Sequence, residues 1–322
     1  MIVWCVGAGS IGMLFAGKLA ALGDGRLRTV LIARTAEQAR KLESEGLVVR
    51  EKEGRLETGV FALSYEDAFV AKRAPAPDWM LIAIKQRHLT DDFVRAVADA
   101  MDERTKLICL QNGIGHVERL AARVPLNRIY LAVTTEGAKK LSDREVAHTG
   151  TGTTWVGPAE NGDTVRARPD SPEKRLAGLL NEAGFHTLLS NSMKEIVWHK
   201  LLVNSVINPL TAVLGVPNGR LIESEHLLRL MRRLADEAVA LARTVGVSVR
   251  DDFWDQLTAV CRNTATNDSS MLQDVRQGRE TEIEWINGAM LRIAGTCGVS
   301  MPTHRTVYDM VKALEQGGRG WK

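Results

Sequence analysis

The sequence predicts an α/β protein in two parts: a sheet-based domain over residues 1–190 and an all-helical domain over residues 191–322. Three observations carry this reading. Short apolar runs alternate with helix-spaced stretches through the first half, the pattern of a parallel sheet covered by helices. A glycine-rich turn follows the first apolar run, where such a sheet binds ligands. Past Asn191 the strand-like runs stop and long segments of helical period take over. A length of 322 residues is long for one domain and suits two.

The elements follow in order. Met1–Val6 reads as the first strand, and Ile11–Leu22, with helical spacing and small residues, as the first helix. Further strands are expected at Thr29–Ala33, Trp79–Ile84, Lys106–Leu110 and Arg128–Val133. Val146–Val156 is rich in β-branched residues and glycine and predicts a hairpin near the end of this part. Helices are expected at Met193–Leu214, Leu227–Val245, Asp251–Ala265, Glu280–Cys297 and Arg305–Leu314. Gly298 and Pro302 supply ordinary stop signals after the fourth of these. The tail Gly317–Gly318–Arg319–Gly320 is expected to fray.

Composition narrows the function. The chain is 45% hydrophobic and 25% charged with a net charge of +3, ordinary for a globular protein. Basic residues are interspersed with acids, so no nucleic-acid partner is expected. Arg229, Arg232 and Arg233 read as a solvated helix face. No apolar run reaches the roughly 18 residues that a membrane span needs, so no membrane partner is expected. The apolar start runs straight into the glycine turn without a basic leader or a cleavage site. A secretory signal is therefore not expected, and the cytoplasm is the expected location. Cys5, Cys109, Cys261 and Cys297 are far apart, giving neither a disulfide framework nor a metal-ligand spacing. They read as small buried hydrophobes, and no metal is expected.

The turn Gly7–Ala8–Gly9–Ser10–Ile11–Gly12 is a G-x-G-x-x-G between a strand and a helix, which reads as a dinucleotide-binding turn, a tight strand–helix turn with no ligand being the competing account. Gly7 permits the tight turn, Gly9 lets backbone approach a pyrophosphate, and Gly12 lets helix and strand pack closely. The helix start offers unpaired N–H groups to the phosphates. Enzymes using NAD usually place a carboxylate at the end of the second strand. This chain has Arg34 and then Thr35 there, a guanidinium and a hydroxyl suited to a 2′-phosphate, which favours NADPH/NADP+. An exposed arginine that binds nothing is the competing account. Lys85 and Asn112 close two later strands, where they are ordinary loop residues or meet cofactor or substrate.

The second part carries the chemistry. Lys200, Asn204 and Asn208 are spaced four apart and share a face of a helix otherwise built of Leu201, Leu202, Val203, Val206 and Ile207. A helix so apolar is buried, and its polar stripe needs partners or a ligand. Glu282 shares a face with Ile286, Met290 and Ile293 and should be partly buried, while Glu280 and Glu284 should be exposed. A lone buried glutamate needs a partner, and Lys200 is a candidate.

Together these residues resemble the ketopantoate reductase (2-dehydropantoate 2-reductase) family over nearly the whole chain. The resemblance rests on the glycine turn, Lys85, Gln111–Asn112–Gly113, Lys200 with Asn204, Ile207–Asn208–Pro209–Leu210–Thr211–Ala212, Pro217–Asn218–Gly219, Ser269–Ser270–Met271–Leu272–Gln273–Asp274 and Thr281–Glu282–Ile283. It implies a Rossmann domain joined to a helical domain like that of 6-phosphogluconate dehydrogenase. It also implies reduction of 2-dehydropantoate to (R)-pantoate by NADPH, a step toward pantothenate and coenzyme A. By analogy Lys200 is the general acid and Glu282 contacts substrate or orients the lysine. Asn112, Asn204, Asn208, Asn218 and Ser270 line the substrate cleft, and Lys85 lies near the cofactor. His88 departs from the glutamine that many relatives carry after the lysine.

Three alternatives stay open: a relative reducing another branched 2-keto acid such as 2-ketoisovalerate, a β-hydroxyacid dehydrogenase, and a silent NADPH-binding sensor. The second shares the K-x-x-x-N helix. It usually carries glycines just before the lysine, where this chain has Glu195–Ile196–Val197–Trp198. Against the third stand the intact Lys200, Asn204 and Glu282. The expected partner is a small-molecule 2-keto acid, and a homodimer stays open.

Overall fold

The computed structural model describes residues 1–23, 25–160 and 171–317, so Gly318, Arg319 and Gly320 of the expected frayed tail lie outside the described residues. The chain divides into two compact units. Unit 1 comprises Met1–Gln111 and His116–Met193, and unit 2 comprises Asn112–Gly115 and Lys194–Lys322.

The strands of unit 1 are β1 (Ile2–Val6), β2 (Arg28–Ala33), β3 (Leu47–Glu51), β4 (Gly54–Thr58), β5 (Phe61–Ser64), β6 (Trp79–Ile82), β7 (Lys106–Cys109), β8 (Ile129–Thr134), β9 (Gly137–Lys140), β10 (Glu145–Gly150), β11 (Thr153–Pro158) and β12 (His186–Leu189). Its helices are α1 (Ser10–Ala20), α2 (Ala36–Glu45), α3 (Asp91–Ala100), α4 (His116–Ala121) and α5 (Pro172–Glu182). Eight strands form the main sheet in the order β12-β11-β8-β7-β6-β1-β2-β5. All neighbours in it run parallel except β11 against β8. Alternation along the strands sorts the core onto its two faces. Val3, Cys5, Leu31 and Leu81 pack in one cluster with Met13, Leu14 and Phe15 of α1. Trp4, Val6, Val30 and Met80 pack in another with Val94 and Val97 of α3. Central strands covered on both sides must be almost wholly apolar, as IVWCV of β1 is.

The expected hairpin over Val146–Val156 is not formed. β10 belongs to a second sheet, of order β4-β3-β10-β9, and pairs antiparallel with β9. β11 pairs antiparallel with β8 in the main sheet. The chain therefore leaves the main sheet after β8, reverses between β9 and β10, and returns as β11. A Cβ on Gly152 would lie 2.4 Å from the carbonyl carbon of Thr135, so glycine is required where the two passes cross. Local pattern identifies these strands but not their partners.

Unit 2 is helical: α6 (Met193–Leu214), α7 (Glu225–Thr244), α8 (Phe253–Asn263), α9 (Ser270–Arg276), α10 (Ala289–Cys297) and α11 (Pro302–Gly317). Arg229 and Arg232 on α7 are exposed and pair with Glu225 and Asp236 one turn away, the expected solvated face. Cys5, Cys109 and Cys261 are buried and Cys297 is half-buried. No helix among the described residues is long and apolar enough to cross a membrane.

The single helix expected over Glu280–Cys297 is broken. A π-turn occupies Glu284–Gly288 and α10 begins only at Ala289. Thr281 donates its N–H and its hydroxyl to Glu315 Oε1 at 2.8 and 2.7 Å, which ties this stretch to α11 and holds it out of helix. Glu282 therefore precedes the helix, and its carbonyl accepts from the amides of Trp285 and Ile286. Glu284 is half-buried rather than exposed, accepting from Tyr308 Oη and paired with Arg292.

Pro209 explains how the π-turn is anchored. A proline inside a helix has no N–H for the carbonyl four residues back, here Ser205. Asn287 of the π-turn supplies the missing donor, its Nδ2 lying 2.9 Å from Ser205 O. The same amide nitrogen donates to His304 Nδ1, and His304 Nε2 donates to Leu234 O, both at 2.9 Å. Burial pushes the His304 pKa down, in keeping with a neutral ring. Asn287 and His304 together thus join α6, α7, α11 and the π-turn. Asn287→Leu is expected to cost about 2–4 kcal/mol by leaving Ser205 O and His304 Nδ1 buried without a donor. In a Pro209→Ala background, where the helix can supply Ser205 with an N–H again, the cost should fall by about 1 kcal/mol. Denaturant melts of the four proteins measure both quantities, and an unchanged cost would contradict the pairing.

Candidate active site

The glycine turn of unit 1 is shaped by contact distances. Gly7 has φ +112°, and a Cβ there would meet Ile84 Cγ2 at 2.8 Å. A Cβ on Gly12 would lie 1.9 Å from Gly7 O, so helix and turn could not approach. A Cβ on Gly9 would meet nothing within 4 Å. The space a phosphate would need is therefore open at the middle glycine alone. Helices α2, α3 and α5 begin with a threonine or serine cap and an acid in the first turn. Helix α1 has neither, so its own first turn sets no carboxylate against the positive end of its dipole. Ser10 Oγ accepts from the amide of Lys140, and Ala8 O accepts from Nε2 of the buried Gln38. These bonds fix the turn while leaving the first-turn amides to a ligand. The geometry fits a dinucleotide pyrophosphate.

Arg34 is exposed at the end of β2. The Thr35 hydroxyl beside it caps α2, accepting from Gln38 N at 3.3 Å. Lys85 is half-buried and opens the short turn Gln86–His88 after β6.

Unit 2 gathers the other group. Asn112–Gly115 counts with this unit, although the surrounding chain belongs to unit 1. Ile114 N donates to Trp285 O, and Gly113 has φ +79° with room for no Cβ, the carbonyl oxygen of Trp285 lying 2.2 Å from where it would be. So pinned, Asn112 Nδ2 donates to Glu282 Oε2 at 3.0 Å. Lys200 is half-buried on α6. Burial pushes its pKa down to about 8, and the negative charge of Glu282 opposes that fall. The structure therefore brings Lys200, Glu282 and Asn112 into one electrostatic group.

Of Leu201–Leu210 on α6, Asn204 is the least buried. Asn208, one turn on, is 6% exposed. Ser270 is exposed at the start of α9, whereas Ser269 caps that helix and shares a 2.7 Å hydrogen bond with Thr211, three residues beyond Asn208. Asn218 is buried in the turn after α6, its amide N–H donating to Asn267 O. A half-buried amine with a lowered pKa, a carboxylate and several amides suit proton delivery to a small polar substrate.

Comparison with known proteins gives the family. The family "Ketopantoate reductase PanE/ApbA" matches residues 3–161, and "Ketopantoate reductase PanE/ApbA C terminal" matches residues 192–315. A 2-dehydropantoate 2-reductase of Halobacterium salinarum is 30% identical over 312 residues, 97% of this chain and 98% of its own. The chain belongs to the ketopantoate reductase family. A PanE/ApbA family ketopantoate reductase from Ralstonia eutropha superposes with a TM-score of 0.86 at 25% identity, covering 99% of this chain and 100% of its own. A D-mandelate dehydrogenase, solved with NADH and anilino(oxo)acetate, shares the fold with a TM-score of 0.87 at 22% identity, over 99% of this chain and 100% of its own.

Sequence reading of this ketopantoate reductase family member missed Gln38, which clamps the glycine turn, and Asn287, which anchors the π-turn below Glu282. For Gln38 no local signal exists. For Asn287 the signal was Pro209, since a helical proline implies a surrogate donor somewhere. Gly113→Ala is expected to cost about 2–3 kcal/mol and to free the Ile114 amide from Trp285. Thermal melts and amide exchange at Ile114 measure this, and native protection there would contradict the packing.

Proposed function

We propose that this chain reduces 2-dehydropantoate to (R)-pantoate with NADPH, unit 1 holding the nucleotide and unit 2 the keto acid. The observation that carries the reading is the Lys200 amine, held near pKa 8 opposite the Glu282 carboxylate that also receives Asn112. The relatives, named as 2-dehydropantoate 2-reductases, support the substrate. Arg34, standing where a carboxylate would repel a 2′-phosphate, supports the choice of NADPH.

The chemistry a bound nicotinamide nucleotide supplies is hydride, delivered to the keto carbon. Gly7, Ala8, Gly9, Ser10, Ile11 and Gly12 would hold its pyrophosphate through backbone amides, Arg34 would hold its 2′-phosphate, and Lys85 and Asn112 would also bind the nucleotide. Negative charge then builds on the substrate carbonyl oxygen. Lys200 Nζ stabilises that charge and gives up a proton to it. An amine near pKa 8 is still largely protonated at neutral pH and gives its proton more readily than an ordinary lysine. Glu282 keeps the ammonium from losing its proton to burial alone. The amides of Asn204, Asn208 and Asn218 and the hydroxyl of Ser270 meet the carboxylate and hydroxyl of the substrate.

Lys200→Ala is expected to lower kcat by about 10²- to 10⁴-fold while NADPH still binds, which stopped-flow rates and calorimetry check. A near-native rate would remove the lysine from the mechanism. The reduction needs the ammonium, so its rate should hold below about pH 8 and fall above it as the proton is lost. A rate that stays level to pH 10 would contradict this. Arg34→Ala is expected to raise the Kd for NADPH roughly ten- to a hundredfold and to leave NADH binding unchanged. Equal weakening of both nucleotides would refute the phosphate contact.

A further inference from the structure

We propose that Gln38 is a positioning residue for the nucleotide: its side chain sets the Ala8–Gly9 peptide so that the Gly9 N–H faces the pyrophosphate. This deepens the proposed function and rests on unit 1 binding a nicotinamide nucleotide, not on the choice of keto acid.

The glycine turn is held at both ends. Gly7 N donates to Ile32 O, and Gly9 O accepts from Met13 N, both at 2.9 Å. The peptide unit between Ala8 and Gly9 lies between these anchors. A peptide unit beside a glycine turns over at little cost, because the turn reverses the glycine's φ and glycine accepts either sign. Gly9 is exposed, and nothing lies within 4 Å of where its Cβ would be. The lack of a side chain that lets a phosphate come close therefore also leaves the adjacent peptide loose.

Gln38 removes that freedom. From the first turn of α2 its Nε2 donates to Ala8 O at 3.3 Å and to Asp143 O, in the turn between β9 and β10, at 3.0 Å. Carbonyl oxygens only accept, and a carboxamide nitrogen has two N–H groups, one for each. Among the described residues no other hydrogen bond reaches Ala8 O. Gln38 is 8% exposed, and its backbone is fixed by donating to the Thr35 cap. Lys140 N of β9 supports the next residue of the turn, donating to Ser10 Oγ at 3.0 Å.

The Ala8–Gly9 peptide is trans, so its N–H points opposite to its carbonyl. With Ala8 O turned inward onto Gln38, the Gly9 N–H turns outward to the exposed side. Among the described residues it donates to no protein group. An N–H held there, beside the start of α1 with no side-chain cap, suits an anionic oxygen of a pyrophosphate.

The test compares the unaltered protein with Gln38→Met, which keeps the length of the side chain and removes both N–H groups. Calorimetry is expected to give a Kd about tenfold or more higher in Gln38→Met for NADPH and for ADP-ribose alike, because both carry the pyrophosphate. With saturating NADPH, kcat and the KM for the keto acid should stay near native. The second readout is the Gly9 amide resonance in protein made with isotope-labelled glycine. ADP-ribose should shift it downfield in the unaltered protein and by much less in Gln38→Met. A residue that only stabilised the fold would lower Tm and leave both Kd values and the Gly9 shift unchanged, which would overturn the inference. A loss confined to NADPH would overturn it too, since that would place Gln38 at the 2′-phosphate. A Gly9 amide indifferent to ADP-ribose in the unaltered protein overturns it without any variant, even if Gln38→Met folds poorly. If the unaltered protein binds neither nucleotide, the nucleotide reading of unit 1 itself fails and the inference falls with it.

Discussion

A lysine ammonium moved out of water loses several kcal/mol of hydration, and only a fixed opposite charge returns part of it. Lys200 stands at that balance. Burial pulls its pKa down to about 8, and the Glu282 carboxylate keeps it from falling further. Too little burial would leave an ordinary lysine, reluctant to release a proton. Too little Glu282 would leave a neutral amine with no proton to release. Much of unit 2 serves to hold this balance in place.

Lys200 is fixed by α6, whose other faces are packed with leucine, valine and isoleucine. Glu282 is harder to fix, because it lies outside regular helix. The π-turn that follows it is nailed to α6 through Asn287, which fills the vacancy that Pro209 leaves in the helix ladder. The stretch before it is tied to α11 through Thr281 and Glu315. Asn112 is delivered to Glu282 by a glycine turn that fits only because Gly113 has no side chain. Proline, asparagine and glycine, each a poor helix residue, do the positioning here: Pro209 frees a carbonyl, Asn287 supplies its donor, and Gly113 removes a Cβ that would not fit.

The features legible in the sequence are those that local pattern controls. The apolar runs of β1, β2, β6 and β7 and the limits of α6 follow from spacing alone, and the glycine turn from its place between strand and helix. The i, i+4 spacing by itself puts Lys200, Asn204 and Asn208 on one face. Pairing partners are not local, so the pattern joins β10 to β11 when they belong to different sheets. The break before α10 is hidden for the same reason: the residue that holds Thr281 out of helix is Glu315, far along the chain. Gln38 reaches the glycine turn from another helix altogether.

The Lys200 balance can be measured without turnover. A nuclear magnetic resonance titration of isotope-labelled lysine, in the unaltered protein and in Glu282→Gln, gives the Lys200 pKa directly. The account requires a value near 8 in the first and a clearly lower one in the second, since Gln removes the charge that opposes burial. A Lys200 that titrates like a free lysine, or one indifferent to the loss of the carboxylate, would contradict it.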